Sequence, residues 1–121
     1  MLKARFRVVV GEKIALGPGK VELLTALAET GSLSRAAERL GMSYMRAWNL
    51  VRTMNACFRE PLVTSIRGGR KGGGMKVSEA GLRVIALYQK IEQAALEASA
   101  PSWEELNELL AFQGSGPKLI L

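Results

Sequence analysis

The apolar positions of this chain follow two periods, and the places where the period changes mark its elements. Residues 2 to 10 alternate, with Ala4, Phe6 and Val8 on one side and Lys3, Arg5 and Arg7 on the other, as in a half-buried strand. A second extended piece, Lys13 to Leu16, follows a turn at Gly11, and Gly17-Pro18-Gly19 breaks it. From Lys20 to Thr30 the period becomes helical, with Val21, Leu24, Leu27 and Ala28 on one face and Gly31 as a C-cap residue.

Residues Ser32 to Phe58 read as two more helices joined by a tight turn at Gly41. Such a turn needs a residue that tolerates positive φ, and the shorter helix needs a small residue facing the longer one. Gly41 and Ala37 supply these. Ser32 or Ser34 can cap the first helix and Ser43 the second. In the second, Ala47, Leu50, Val51, Met54 and Phe58 form a core stripe flanked by Tyr44 and Trp48, which leaves Met45, Arg46, Asn49, Arg52 and Thr53 on the opposite side.

Pro61 stops that helix, and Leu62 to Ile66, rich in β-branched residues, reads as a strand. A basic glycine loop, residues 67–74, leads to a returning strand at Met75 to Val77. Two strands and a basic loop directly after three helices make a wing. The fold class is therefore mainly α with a small β-sheet: a winged helix-turn-helix with N-terminal strands, a two-stranded wing and a long C-terminal dimerisation helix. Ser78 is the expected N-cap of that last helix, which should run from Glu79 to about Ala98.

Its apolar residues cover two adjacent faces, Leu82, Ile85, Tyr88 and Ile91 on one and Val84, Leu87, Ala94 and Ala95 toward the other. One stripe serves the helix's own domain, so the second implies another subunit or a C-terminal segment folded back over it. Val84, Leu87, Tyr88, Ile91 and Ala95 are the expected dimer contacts. After Pro101, Ser102 and Glu105 form a capping-box pattern ahead of Trp103, Leu106, Leu109 and Leu110, which predicts a separate short helix followed by an apolar tail. The expected division is a domain over 1–98, containing the helix 79–98, and an appendage over 99–121.

Charge adds a location to this outline. Of a net +6, the stretch from Arg39 to Ser78 holds eight basic residues (Arg39, Arg46, Arg52, Arg59, Arg67, Arg70, Lys71 and Lys76) against Glu60 alone, so the remainder nets −1. A basic segment that coincides with the helix-turn-helix and wing points to a polyanion, double-stranded DNA above all. Arg46 and Asn49 can bond guanine and adenine edges, with Ser43 and Met45 beside them. Ser34, Arg35, Arg52, Arg67, Arg70 and Lys71 are the expected phosphate contacts, while Tyr44 and Trp48 suit positioning or core roles better than base reading.

With no histidine and a single cysteine, Cys57, the chain offers no intramolecular disulfide and no metal site of the usual Cys/His kind. Cys57 reads as a small buried hydrophobe or a redox switch. The glycine run is not GxxxxGK[ST] and precedes a strand, which excludes a nucleotide-cradling loop. Without a carboxylate pair or an activated nucleophile no enzyme and no cofactor are expected. No continuous apolar run suggests a signal peptide or a span, so a cytoplasmic location and no membrane partner are expected.

Gly31-Ser32-Leu33-Ser34, Ala36-Ala37, Leu40-Gly41-Met42-Ser43-Tyr44, Ala47-Trp48 and Met54-Asn55, followed by the glycine wing and a Ser-started helix, resemble the N-terminal domain of the molybdate-dependent transcriptional regulators, the ModE family. The resemblance covers roughly residues 3 to 95 and shares its more general features with LysR-type regulators. It implies a prokaryotic, dimeric operator-binding domain whose long helix contributes to dimerisation. The family's molybdate-binding domains have no counterpart before Leu121, so molybdate is not expected to bind this chain. The competing class is a winged-helix module that binds a protein, through the long helix and residues 102–121, without specific DNA binding.

Overall fold

In a computed structural model, residues 1–66 and 74–111 are described. The element order is β1 (Val8–Val10), β2 (Lys13–Leu16), α1 (Pro18–Thr30), α2 (Leu33–Arg39), α3 (Tyr44–Cys57), β3 (Val63–Ile66), β4 (Gly74–Val77) and α4 (Glu79–Glu108). It is the mainly helical, winged arrangement that the periodicity predicts.

The N-terminal strand is shorter than its alternation suggests. Only Val8 to Val10 pair, antiparallel with Lys13 to Leu16, around a turn where Gly11 takes φ 62°. Gly17 and Pro18 end the partner strand, so residues 2–7 have nothing to pair with. Nor does the hairpin bury a face of β1: Ala15 and Leu16 enter the core while Val9 stays 60% exposed. Pro18, read from sequence as part of a break, sits at the start of α1, where its missing N–H costs nothing.

Three helices then surround a core in which Leu23, Leu24, Leu27, Met54 and Leu62 are fully buried. Ala36, Ala37 and Ala47 are also buried, and their small size lets α2 and α3 approach closely. Ala28, expected on the buried face of α1, is exposed instead. The two tight connections between these helices obey local chemistry. Gly31, at φ 66°, donates its N–H to the Leu27 carbonyl at 2.8 Å, Gly41 turns the chain at φ 68°, and Ser32 and Ser43 cap α2 and α3 by accepting the N–H groups of Arg35 and Arg46.

β3 and β4 form an antiparallel pair in the register Val63↔Val77, Thr64↔Lys76, Ser65↔Met75 and Ile66↔Gly74. Its base is tied down on two sides. Met75 N–H donates to the Gly31 carbonyl at 3.3 Å, and Ser78 N–H to the Leu62 carbonyl at 2.9 Å.

α4 departs most from expectation. It does not stop near Ala98 but runs through Pro101 to Glu108 as one 30-residue helix, so the separate short helix after Pro101 does not form. A proline here removes a single bond, to the Glu97 carbonyl, and both residues are exposed, so water can supply the missing donor. Good helix formers on either side (Ala95, Leu96, Glu97, Ala98, Glu104, Glu105 and Leu106) outweigh it. The apolar tail beyond Ala111 lies outside the described residues.

Tyr88, expected at a dimer contact, is instead 3% exposed in its own core, where its hydroxyl donates to the Phe6 carbonyl at 2.8 Å. Val84 and Ile85 also pack against that core, whereas Leu82, Leu87 and Ile91 remain exposed. The split cuts across both expected stripes where α4 lies across α1: Ile85 and Tyr88 of one and Val84 of the other pack inward, while Leu82 and Ile91 of the first and Leu87 of the second stay open.

Candidate nucleic-acid interface

Ser43 starts α3 by accepting the Arg46 N–H at 3.1 Å. That cap fixes where the helix begins and so which residues occupy its solvent side. Met45 is 64% exposed, and Arg46, Asn49, Arg52 and Thr53 are all exposed along the same flank, as the sequence predicts. Thr53 turns its hydroxyl back to the Asn49 main-chain carbonyl at 2.8 Å. An α-helix fits the major groove of duplex DNA, and a flank of guanidinium, carboxamide and thioether groups can meet base edges and thymine methyls there.

The rest of the expected surface is distributed around that flank. Ser34 and Arg35 are exposed in the first turn of α2. Lys76 is exposed on β4, opposite Thr64 on β3. Arg67, Arg70 and Lys71 lie outside the described residues. One basic residue of the segment is already engaged: Arg39 pairs with Glu29 at 3.0 Å, an exposed ion pair that ties α2 to α1.

Two features escaped sequence reasoning. Asn55 acts as a clamp, its Oδ1 accepting the N–H groups of Leu62 and Val63 at 2.8 and 3.2 Å while its Nδ2 donates to the Val63 carbonyl at 2.9 Å. These bonds set the corner between α3 and the wing, so the wing's placement beside the recognition flank depends on an amide that spacing alone leaves without a role. Ser78 is a second tie, because its hydroxyl caps α4 through Gly81 N–H and also donates to the Pro61 carbonyl at 2.7 Å. The capping role is legible from sequence; the reach across the wing is not.

Trp48 does not take the core role, one of its two expected ones. It is 37% exposed, too open for a core residue, and the Arg52 guanidinium carbon stands 5.1 Å from its ring centroid. The two side chains line one wall of a notch of about 150 Å³ whose other wall is β3, with Thr64 and Ser65. Lys20 donates to the Ile14 carbonyl, and burial lowers its pKa against a smaller upward pull from nearby Cys57. Cys57 is part-buried and free.

Residues 19–82 match the model of the bacterial regulatory helix-turn-helix proteins of the lysR family. Among curated proteins, the chain is 40% identical over 98 residues to the molybdenum transport protein ModE of Azotobacter vinelandii, covering 78% of this chain and 35% of that one. It is 36% identical over 104 residues to the DNA-binding transcriptional dual regulator ModE of Escherichia coli strain K12, covering 83% and 40%. The chain thus spans well under half the length of these relatives. Among solved structures, the full-length LTTR LysG of Corynebacterium glutamicum aligns with a TM-score of 0.54 at 20% identity, over 78% of this chain and 30% of that one, a likeness of fold. No helix among the described residues is long and apolar enough to cross a membrane. The chain belongs to the lysR family of bacterial regulatory helix-turn-helix proteins, with ModE proteins among its homologues.

Proposed function

We propose that this chain is a homodimeric, sequence-specific DNA-binding regulator of transcription. α3 enters the major groove with Ser43, Met45, Arg46 and Asn49 nearest the base edges. Ser34, Arg35 and Arg52 contact backbone phosphates, joined by Arg67, Arg70 and Lys71 of the wing loop. The observation that carries the reading is the continuous exposed flank of α3 beside the wing, basic in a chain whose remaining residues are close to neutral. Dimerisation uses the apolar residues of α4 left open by the core, with Leu87 and Ile91 at the centre and the half-buried Val84 and Ala95 beside them. Two α3 helices then reach successive major grooves about 34 Å apart.

Selection of bound fragments from a random duplex pool tests specificity, and a salt titration tests the electrostatic part. For about eight phosphate contacts per dimer, log affinity falls with log salt at a slope of about −7. Recovery of no enriched sequence, with binding too weak to titrate, rejects the proposal.

A second reading, a protein-binding module, draws support from one observation. The end of α4 exposes Leu106, Leu109 and Leu110, with Leu109 82% accessible. The same titration separates the two, because a protein-binding module has little DNA affinity to lose.

A further inference from the structure

We propose that the notch between α3 and β3 seats one phosphate of the DNA backbone, and that Trp48 is the positioning residue that holds Arg52 over it. The proposal rests on the DNA-binding reading above and adds a site and a mechanism to it. The notch lies between the helix that would read the bases and the wing that would flank them, where a strand of the duplex must pass. Its chemistry is that of an anion site. Arg52 lines one wall with Trp48 and Val51 and β3 lines the other, where Thr64 or Ser65 can offer a single hydroxyl because neighbours on a strand face opposite ways; Val63 and Met75 complete the lining, and among the described residues no carboxylate does. Asn55, also in the lining, has its amide committed to Leu62 and Val63, so it fixes the notch without competing for the ligand.

Arg52 is available for this work. Among the described residues it makes no hydrogen bond and no ion pair, and its interaction is with the Trp48 ring one turn earlier. Stacking on an indole face leaves the guanidinium edge, which carries all five N–H donors, free to meet phosphate oxygens. It also narrows the rotamers of a long side chain before binding, so less ordering remains to be done when DNA arrives. Trp48 therefore acts on the phosphate through Arg52 without contacting it. That accounts for a large aromatic residue left 37% exposed on a helix whose core stripe is already filled by Ala47, Val51 and Met54.

A double-mutant cycle on duplex binding, measured by fluorescence anisotropy across a salt series with a labelled duplex selected from the random pool, tests both parts. Arg52→Ala should weaken binding on all sequences alike and make the salt slope shallower by about one per subunit. Trp48→Leu should weaken binding about two- to fivefold with most of the slope retained, the range expected for an exposed cation–π pair. In the Arg52→Ala background Trp48→Leu should have no further effect, and Trp48→Phe should fall between leucine and wild type. If Trp48→Leu costs as much without Arg52 as with it, the ring acts independently and the positioning role is overturned. An unchanged slope in Arg52→Ala overturns the phosphate seat. Thermal midpoints are recorded alongside, and if Trp48→Leu fails to fold, the cycle is read with Trp48→Phe. Failure of the wild-type protein to bind any duplex removes the DNA reading itself, an outcome distinct from normal binding with a non-coupled cycle.

Discussion

A Cβ added to Gly81 would stand 2.4 Å from the carbonyl oxygen of Leu62 and 2.6 Å from a methyl of Val77. The first turn of α4 is laid directly on the chain entering the wing, and only a residue without a side chain allows it. Gly81→Ala gains up to about 1 kcal/mol of helix propensity. Displacing backbone in a packed region costs about 1–3 kcal/mol, so the net effect should be destabilising. Urea denaturation measures it; a variant as stable as wild type would mean that α4 and the wing base are not this tightly joined.

Asn55 makes three hydrogen bonds to the backbone of Leu62 and Val63. Asn55→Ala orphans two N–H groups and a carbonyl at a part-buried corner, at an expected cost of about 2–4 kcal/mol given about 1–3 for each group that water does not rescue. Asn55→Asp keeps the two accepted bonds and should lose less. Equal losses in chemical denaturation would show that the donated bond alone matters.

Raising the pH should unravel the contact between α4 and the N-terminal segment. Burial raises the Tyr88 pKa above its ordinary 10.0, with nearby Glu92 adding to the rise and Arg5 and Arg7 opposing it. The folded phenol therefore holds its proton more tightly than the unfolded one. Its contribution is fully present below pH 10 and is lost as pH climbs from there through the raised folded value. In Tyr88→Phe this alkaline component of the melting curve should vanish, along with about 0.5–1.5 kcal/mol from the bond to Phe6 at neutral pH. The same alkaline loss in both proteins would assign it to another group.

Leu87→Asp and Ile91→Asp place charge on the open stripe of α4 without touching the buried Tyr88 side. Sedimentation equilibrium should show dimers for wild type and monomers for each variant, with unchanged secondary structure by circular dichroism. Duplex affinity should fall with dimerisation. A dimer that survives both substitutions uses another surface.

Arg46→Ala should cost about 1–3 kcal/mol on the selected sequence and relax the preference at one base position, whereas Arg70→Ala should weaken selected and random duplexes by similar factors. Competition binding against random DNA distinguishes them. An equal loss for Arg46→Ala on both would place Arg46 on the backbone.

Local chemistry was the legible part. Caps at Ser43 and Ser78 and the turns at Gly11, Gly31 and Gly41 needed only neighbouring residues, and each formed where the sequence predicts. So did the flank of α3, because its core stripe is strictly periodic and leaves Arg46, Asn49 and Arg52 on the remaining side. Pro101 misled for a reason of the same kind, since a rule for helix interiors overstates the cost at an exposed position flanked by strong helix formers.

By itself, then, the amino-acid order determined most of the elements, the winged helix-turn-helix class and the basic side of α3, since these follow from periods and caps a few residues long. Tertiary structure decided which apolar residues of α4 the domain keeps, placing Tyr88 against Phe6 and leaving Leu87 and Ile91 open. It also decided that Asn55 sets the wing, that Gly81 admits α4 to the Leu62 carbonyl, and that Trp48 meets Arg52 beside β3. Such relationships depend on how helices cross and strands dock. Apolar positions of equal hydrophobicity look alike until a neighbouring element buries some of them.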